Sequence, residues 1–419
     1  MKTLIGLASF AVLTALAGGA PPARSALLIP GANGSDGAFA PTANTAVDLS
    51  LASTSAWDSP GDGDGVYDGS KWAVVFKYSS VNIPAGVTVT FLNHPSRAPV
   101  VWLVSGNVTI AGSVNLSAAN LTVGSYVHTE PGPGGFRGGP GYKDAVAWGS
   151  GGFGIGGAPL AKDGSTWAAC ASYASSGFRN PGPLYGNPRL LPLVGGAGGS
   201  GSAAHSGHGG AAGGGAILIA ATGTIAVNGS IVANGGSILA GWHSGAGAGG
   251  AVRLISETLT GNGSIQAIGG SQAQYGAAAG IGRIRIETLS VSGSLNASPQ
   301  TDVVEPDDPV NIWPPAEVPA VRVVSVGGTA VPADPHARFD LGSADLSLAD
   351  LASAEILLQT TRIDPAGTVQ VRIAPKIGEP YWVNAVFQSG TVAQASWAAL
   401  ANLPDGFFAV QARAENPPQ

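Results

Sequence analysis

A unit of three short β-prone runs punctuated by Gly-Ser corners recurs along this chain, and no other feature restricts its fold as much. The copies read VVWLVSGNVTIAGSVNLSA from Val100, AILIAATGTIAVNGSIVANGG from Ala216, AVRLISETLTGNGSIQAIGG from Ala251 and RIRIETLSVSGSLNASP from Arg283. An earlier coil is WAVVFKYSSVNIPAGVTVTF, Trp72 to Phe91. Gly229 and Gly263 are 34 residues apart, and Gly263 and Gly293 are 30 apart. One coil cannot bury its apolar positions alone, whereas coils stacked about 4.8 Å apart pair strand on strand around a continuous core. The pattern therefore predicts an all-β chain, a parallel β-solenoid, with a β-sandwich as the competing arrangement. Strand alternation predicts two inward rows, Val101, Ile217, Val252, Ile284 and Leu103, Ile219, Leu254, Ile286. Trp102, Leu218, Arg253 and Arg285 would point outward between them.

Between the first two of these copies lies an insertion, residues 124–215, with little periodicity and nine aromatics. Of the 65 glycines, 44 fall between Gly124 and Gly282. So many aromatics are foreign to a solvated linker, so the insertion is expected to form a compact Gly-rich excursion covering the outward Trp102 and Leu218. Polyproline-II packing of glycine strands is an alternative for Gly195–Gly215. Residues 299–319, with Glu305-Pro306-Asp307-Asp308-Pro309 and Pro314-Pro315, read as a stiff linker. Beyond it, residues 320–415 hold six strand-like runs, VRVVSV, AEILLQTT, TVQVRI, WVNAVF, QASWAAL and FFAVQARA, at sandwich spacing.

The N-terminus reads as a secretory signal peptide, residues 1–17, with Lys2 before an apolar run from Leu4 to Ala17 and cleavage expected between 17 and 26. That run is too short to cross a bilayer, and no later stretch is long enough. Residues 27–71 form a cap rich in Asp and Gly before the solenoid at 72–298. Only 11% of residues are charged and the net charge is −6, against about 25% charged in ordinary domains. The weakly acidic balance without basic runs argues against nucleic acid and against an anionic membrane surface. A single cysteine, Cys170, excludes an intramolecular disulfide framework and is expected to be buried.

VNIPAGVTVTF, PVVWLVSGNVTIAGSV, EPGPGGFRGGPGY, YGNPRLLPLVGG, GGGAILIAATGTIAVNGSI and GRIRIE resemble secreted Gly-rich β-helix proteins of environmental bacteria over residues 70–297. The ending SWAALANLPDGFFAVQARA resembles bacterial Ig-like or fibronectin-type modules. The resemblance implies a fold and an extracellular location, with spacer or adhesive units at the C-terminus, and no reaction.

Chemistry candidates are few. Asp58, Asp62, Asp64 and Asp68 in SPGDGDGVYDG supply the alternating Asp and Gly that calcium loops use, although Pro60 and Gly69 occupy ligand positions of an EF-hand; a plain solvated turn is the other reading. Glu257 and Glu287 fall at matching Glu-Thr-Leu steps, which would stack them near the ~5–5.5 Å separation of a retaining glycosidase. Arg253 and Arg285 beside them favour a surface ion-pair network instead, in which exchanging either Glu for Gln would cost about 0–1 kcal/mol. His205, His208 and His243 could approach a metal from flexible loops. Gly152-Phe153-Gly154-Ile155-Gly156-Gly157 spells a dinucleotide fingerprint without its strand and helix. Tyr381, Trp382 and Trp397 could form a glycan platform or pack as core. These features lead to the expectation of a secreted, non-enzymatic structural or adhesive protein of the bacterial surface or matrix, without a firm cofactor. Its partners would be extracellular polysaccharide or other surface proteins. A polysaccharide-active or glycan-binding β-helix is the alternative.

Overall fold

The computed structural model describes residues 27–122, 127–141, 149–160, 169–179, 181–202, 208–239, 243–272, 276–315, 317–335, 344–349 and 352–417. The expected signal peptide lies outside them. The fold is all-β, built on a curled and mostly parallel sheet. Three rows of strands run through residues 38–298. The first row pairs Ala73–Tyr78, Val100–Val104, Ala216–Ala221, Ala251–Gly261 and Arg283–Gly293 in parallel. The second pairs Ala38–Phe39, Ser80–Ile83, Val108–Ile110, Thr224–Val227 and the latter half of Ala251–Gly261. Because Ala251–Gly261 belongs to both, the first two rows form one bent sheet. The third row, Thr45–Asp48 to Asn296–Ser298, is a separate parallel sheet.

The apolar core lies between these rows. Phe76, Trp102, Ile219, Leu254 and Ile286 lie opposite one another on successive strands, as do Val74, Val100, Ile217, Val252 and Ile284. All belong to the same buried cluster. Ile219, Leu254 and their row mates therefore face inward as expected, but the Val100–Val104 strand is turned over relative to the sequence reading. Trp102 is inside, ringed by Phe39, Tyr78 and Phe91, whereas Val101 and Leu103 join Leu218 and Ala220 on the other face. A one-residue slip exchanges the faces of a whole strand. Alternation could not detect the slip, since VVWLV is apolar at every position. The corner fixes the register: Gly223 N–H donates to Gly106 O at 3.3 Å, and Thr224 N–H to Asn107 Oδ1 at 2.8 Å.

The outer face is covered, though mostly not by the insertion. Ile29, Val310 and Ile312 are buried against Val75, Val101, Leu103 and Leu218, with Trp57, Leu193 and Trp313 packed around them. Val303–Val304 also pairs in parallel with Ile286 and Glu287. Within the passage expected as a stiff linker, Val303–Val304 and residues 310–313 are thus docked against the solenoid rows rather than spanning open solvent.

The glycine-rich segments are joined to one another largely through backbone hydrogen bonds. Ala216, Gly213 and Gly210 N–H groups donate to Pro133, Phe136 and Gly139 oxygens, and Gly196, Gly199 and Ser202 donate to Gly214, Ala211 and His208. Donors recurring every third residue are the signature of polyproline-II geometry, with three residues per turn. Side chains are excluded between such chains: a Cβ on Gly213 would lie 1.9 Å from Gly196 O, and one on Gly198 1.8 Å from Arg137 O. Cys170 is buried among small side chains and is a free thiol.

The C-terminal residues form a five-stranded and a three-stranded antiparallel sheet around a second core that includes Ile356, Val371 and Trp397. WVNAVF, expected as one strand, divides at Ala385 into Tyr381–Asn384 and Val386–Thr391 on different sheets. Ala385 N–H still donates to Val369 O, in register with Gln370 opposite Asn384, so the first ladder runs to Ala385 and the chain joins the other sheet from Val386.

Candidate functional site

The two ladder glutamates do not meet. Glu287 lies opposite Ile255, and Gly293 opposite Gly261, so the step between the last two copies is 32 residues, not 30. Two residues of displacement leave Glu257 exposed on another rung while Glu287 is 1% exposed. Glu287 Oε1 instead accepts from Arg253 Nε at 2.7 Å and from Arg285 Nε at 2.6 Å. Arg253 is also only 1% exposed, so the network expected at the surface is an interior one. Asp307, held to Arg189 and Asn311, lies near enough for Arg253 to act on it. A hydrogen bond from Asn311, opposed by burial and reinforced by Arg189, keeps its carboxyl below the usual range. For Glu287, two arginines on one carboxylate oxygen make an internal ion-pair brace.

The four aspartates also separate. Asp68 is buried and accepts from the N–H groups of Trp57, Ser70 and Lys71 and from Ser70 Oγ. Burial opposes its ionisation, but these bonds outweigh it and the carboxyl is lowered. Asp58, Asp62 and Asp64 are exposed. Among the described residues no three His, Cys, Asp or Glu side chains converge as a metal site. Of the four aspartates expected in a calcium loop, Asp68 is the buried one, and its carboxylate serves the backbone. His205 lies outside the described residues. His208 and His243 feel one another, and burial lowers both.

The glycine fingerprint has a different use. Arg372, 2% exposed on the C-terminal sheets, donates to the carbonyls of Gly152 at 2.8 Å, Gly154 at 3.0 Å and Gly157 at 3.3 Å. The loop that spells a phosphate cradle presents oxygens and grips a guanidinium. Burial pushes Arg372 down to about 10, which still leaves it charged at neutral pH. Ser150 Oγ adds a bond to Pro375 O at 3.1 Å.

Beside this clasp lies a cavity of about 1380 Å³ between the glycine-rich segments and the C-terminal sheets. Trp72, Phe136, Arg97 and Arg137 form one wall, and Val321, Val323, Phe408 and Val410 are on the other. Trp72 and Arg97 carry positive φ angles of 47° and 54°, a conformation costly for residues with a Cβ. Glu130 pairs with Arg137 at 2.6 Å and Arg97 at 3.4 Å. At the rim, Tyr67 donates to Asp334 at 2.6 Å and stacks on His94 at 4.0 Å. His94 Nδ1 bonds Ser96 Oγ at 2.8 Å and Ser96 N–H at 3.1 Å, and Ser96 Oγ accepts from Ala98 N–H. These contacts close the turn at 94–98, and burial lowers His94 despite the opposing Asp334. No motif in the sequence pointed to this junction, because it joins segments far apart in the chain.

Of the aromatic platform, Trp397 is core, with Nε1 donating to Thr360. Tyr381 and Trp382 are half-exposed, and Arg413 covers the Trp382 ring at 4.6 Å. Comparison with protein-family models, with curated proteins and with solved structures finds no match.

Proposed function

We propose that this is a secreted, non-enzymatic structural or adhesive protein of the bacterial cell surface or matrix, a parallel β-solenoid carrying an Ig-like C-terminal module. The observation that carries this reading is the use of its buried acids. Glu287 is held between two arginines and Asp68 among backbone amides, so each braces the fold where a catalyst would keep a reactive carboxyl. Parallel pairing, backbone-bonded glycine chains and the Arg372 clasp all favour a stiff body over a mobile one. Fractionation of the producing cells, with a polysaccharide-degradation screen and a glycan array on the mature protein, tests it. The reading requires extracellular protein without turnover; cleavage that disappears in Glu257→Gln or Glu287→Gln would overturn it in favour of a polysaccharide-active β-helix.

A further inference from the structure

Alternation along the second row of strands leaves one face of the solenoid in water. Val108, Ile110, Ile225, Val227 and Leu259 belong to the core, so Thr109, Thr224, Ala226, Thr258 and Thr260 point away from it. The register aligns the outward side chains in two columns. Thr224, Thr258 and Ser290 form one, and Asn82, Thr109, Ala226, Thr260 and Ser292 the other. Asn82, Ser290 and Ser292 are exposed and the rest half-exposed. Among the described residues none of these side chains bonds to an element outside the row, and Ser292 Oγ donates to Thr260 Oγ1 at 3.4 Å, from one rung to the next. The third row carries a further column, Thr88, Ser113, Ser230, Ser264 and Asn296, in which Ser230 Oγ donates to Ser113 Oγ at 2.9 Å.

No Asp, Glu, Lys or Arg and no aromatic ring stands in these three columns. Glu257 is exposed at the corner before Thr258, outside them. Protein surfaces are ordinarily kept soluble by interspersed charge, and a charged group draws a tight water shell of its own. Short hydroxyls fixed to a paired backbone instead hold water at the spacing of that backbone. The spacing is about 4.8 Å from rung to rung and roughly 6.6 Å between alternate residues along a strand. Both lie close to the oxygen repeats along the two axes of a prism face of hexagonal ice. A neutral hydroxyl grid is complementary to a lattice without charge, and a face without rings lacks the stacking platform that would suit a sugar chain.

We propose that the face bearing Thr109, Thr224, Thr258 and Thr260 binds ice. Waters held by these hydroxyls and by Ser290 and Ser292 take up positions of the crystal lattice. Strand pairing has already ordered the side chains' backbone, so binding has little left to immobilise. The inference goes beyond the adhesive reading, which asks nothing of this face. A chain that ignores ice would leave the scaffold intact, and detection of polysaccharide turnover would leave ice binding intact.

The full chain is frozen slowly from dilute solution and the ice fraction assayed for protein, with crystal shape followed under a microscope. Wild type and Glu257→Gln should be captured in ice and should facet the crystals. Thr109→Tyr and Thr260→Tyr should lose both properties. Tyr suits a strand and both positions open to water, so circular dichroism should not change; Thr258→Lys gives the same loss should either Tyr variant misfold. Exclusion of the wild type from ice, with rounded crystals, would overturn the proposal. So would capture that survives all three substitutions, which would assign it to another surface. Retention on crystalline cellulose or chitin without capture in ice would overturn it in favour of a polysaccharide.

Discussion

Exchanging Glu287 for Gln keeps the shape of the side chain and removes its charge. Arg253 is 1% exposed and Arg285 20% exposed, and both donate Nε to the same carboxylate oxygen. Without that oxygen's charge, one guanidinium is stranded in the interior and a second is left at its margin. Breaking a buried pair by neutralising one partner costs about 3–5 kcal/mol, several times the ~0–1 kcal/mol of an exposed pair. Glu257, exposed on a neighbouring rung, is the internal control, and its Gln variant should stay within about 0.5 kcal/mol of wild type. Urea unfolding measures both, with the midpoint shifting and the slope unchanged. Replacing all three members, Arg253→Met/Glu287→Leu/Arg285→Met, should recover most of the loss, since apolar packing carries no desolvation cost for charge. Equal midpoints for the two Gln variants would refute the buried brace and the register that creates it.

Trp102→Ala should cost about 3–5 kcal/mol by opening a large cavity, measured by the same unfolding curves. Gly213→Ala should destabilise or abolish folding, read from circular dichroism and melting, because its Cβ would strike Gly196 O at 1.9 Å. Arg372→Met should leave both cores folded but uncouple them, so that limited proteolysis releases the C-terminal sheets, since the carbonyls of Gly152, Gly154 and Gly157 lose their bonds to the guanidinium. Burial lowers His94, so on acidification the unfolded chain takes up this proton before the folded one. Stability from His94 is then full above about pH 6.5 and falls as pH drops through the folded value; a His94→Gln variant should melt with a shallower dependence on pH.

The sequence carried much of this architecture in its corners. Ser113 and Ser230, or Ser230 and Ser264, occupy the same place in successive copies and pair in the structure. An all-β chain with parallel pairing, and Ile219 and Leu254 inside, could therefore be read from spacing. Trp102 could not, because a strand apolar at every position gives no alternation to follow. Glu257 and Glu287 were misaligned for a related reason: the repeated Glu-Thr-Leu spelling suggested a register that the glycine corners contradict, with Gly261 opposite Gly293. The docking of residues 303–304 and 310–313 was hidden because prolines mark a stiff chain but do not say what it lies against. The Arg372 clasp and the cavity depend on contacts between residues 152–157 and 372, which no local pattern encodes.

The strand register underlies the buried brace, the inward rows and the separation of the two glutamates, and a cross-link tests it most directly. Ser113 and Ser230 sit on adjacent strands with their hydroxyls 2.9 Å apart, while Ser264 is one strand further on. Neighbouring Cα atoms about 4.8 Å apart fall within disulfide reach, and two strands' separation does not. Mild oxidation of Ser113→Cys/Ser230→Cys, followed by peptide mapping, should yield a 113–230 disulfide, with buried Cys170 remaining reduced. Ser113→Cys/Ser264→Cys should stay unlinked under the same conditions. A 113–264 bond, or two accessible thiols that never join in the first variant, would contradict the account.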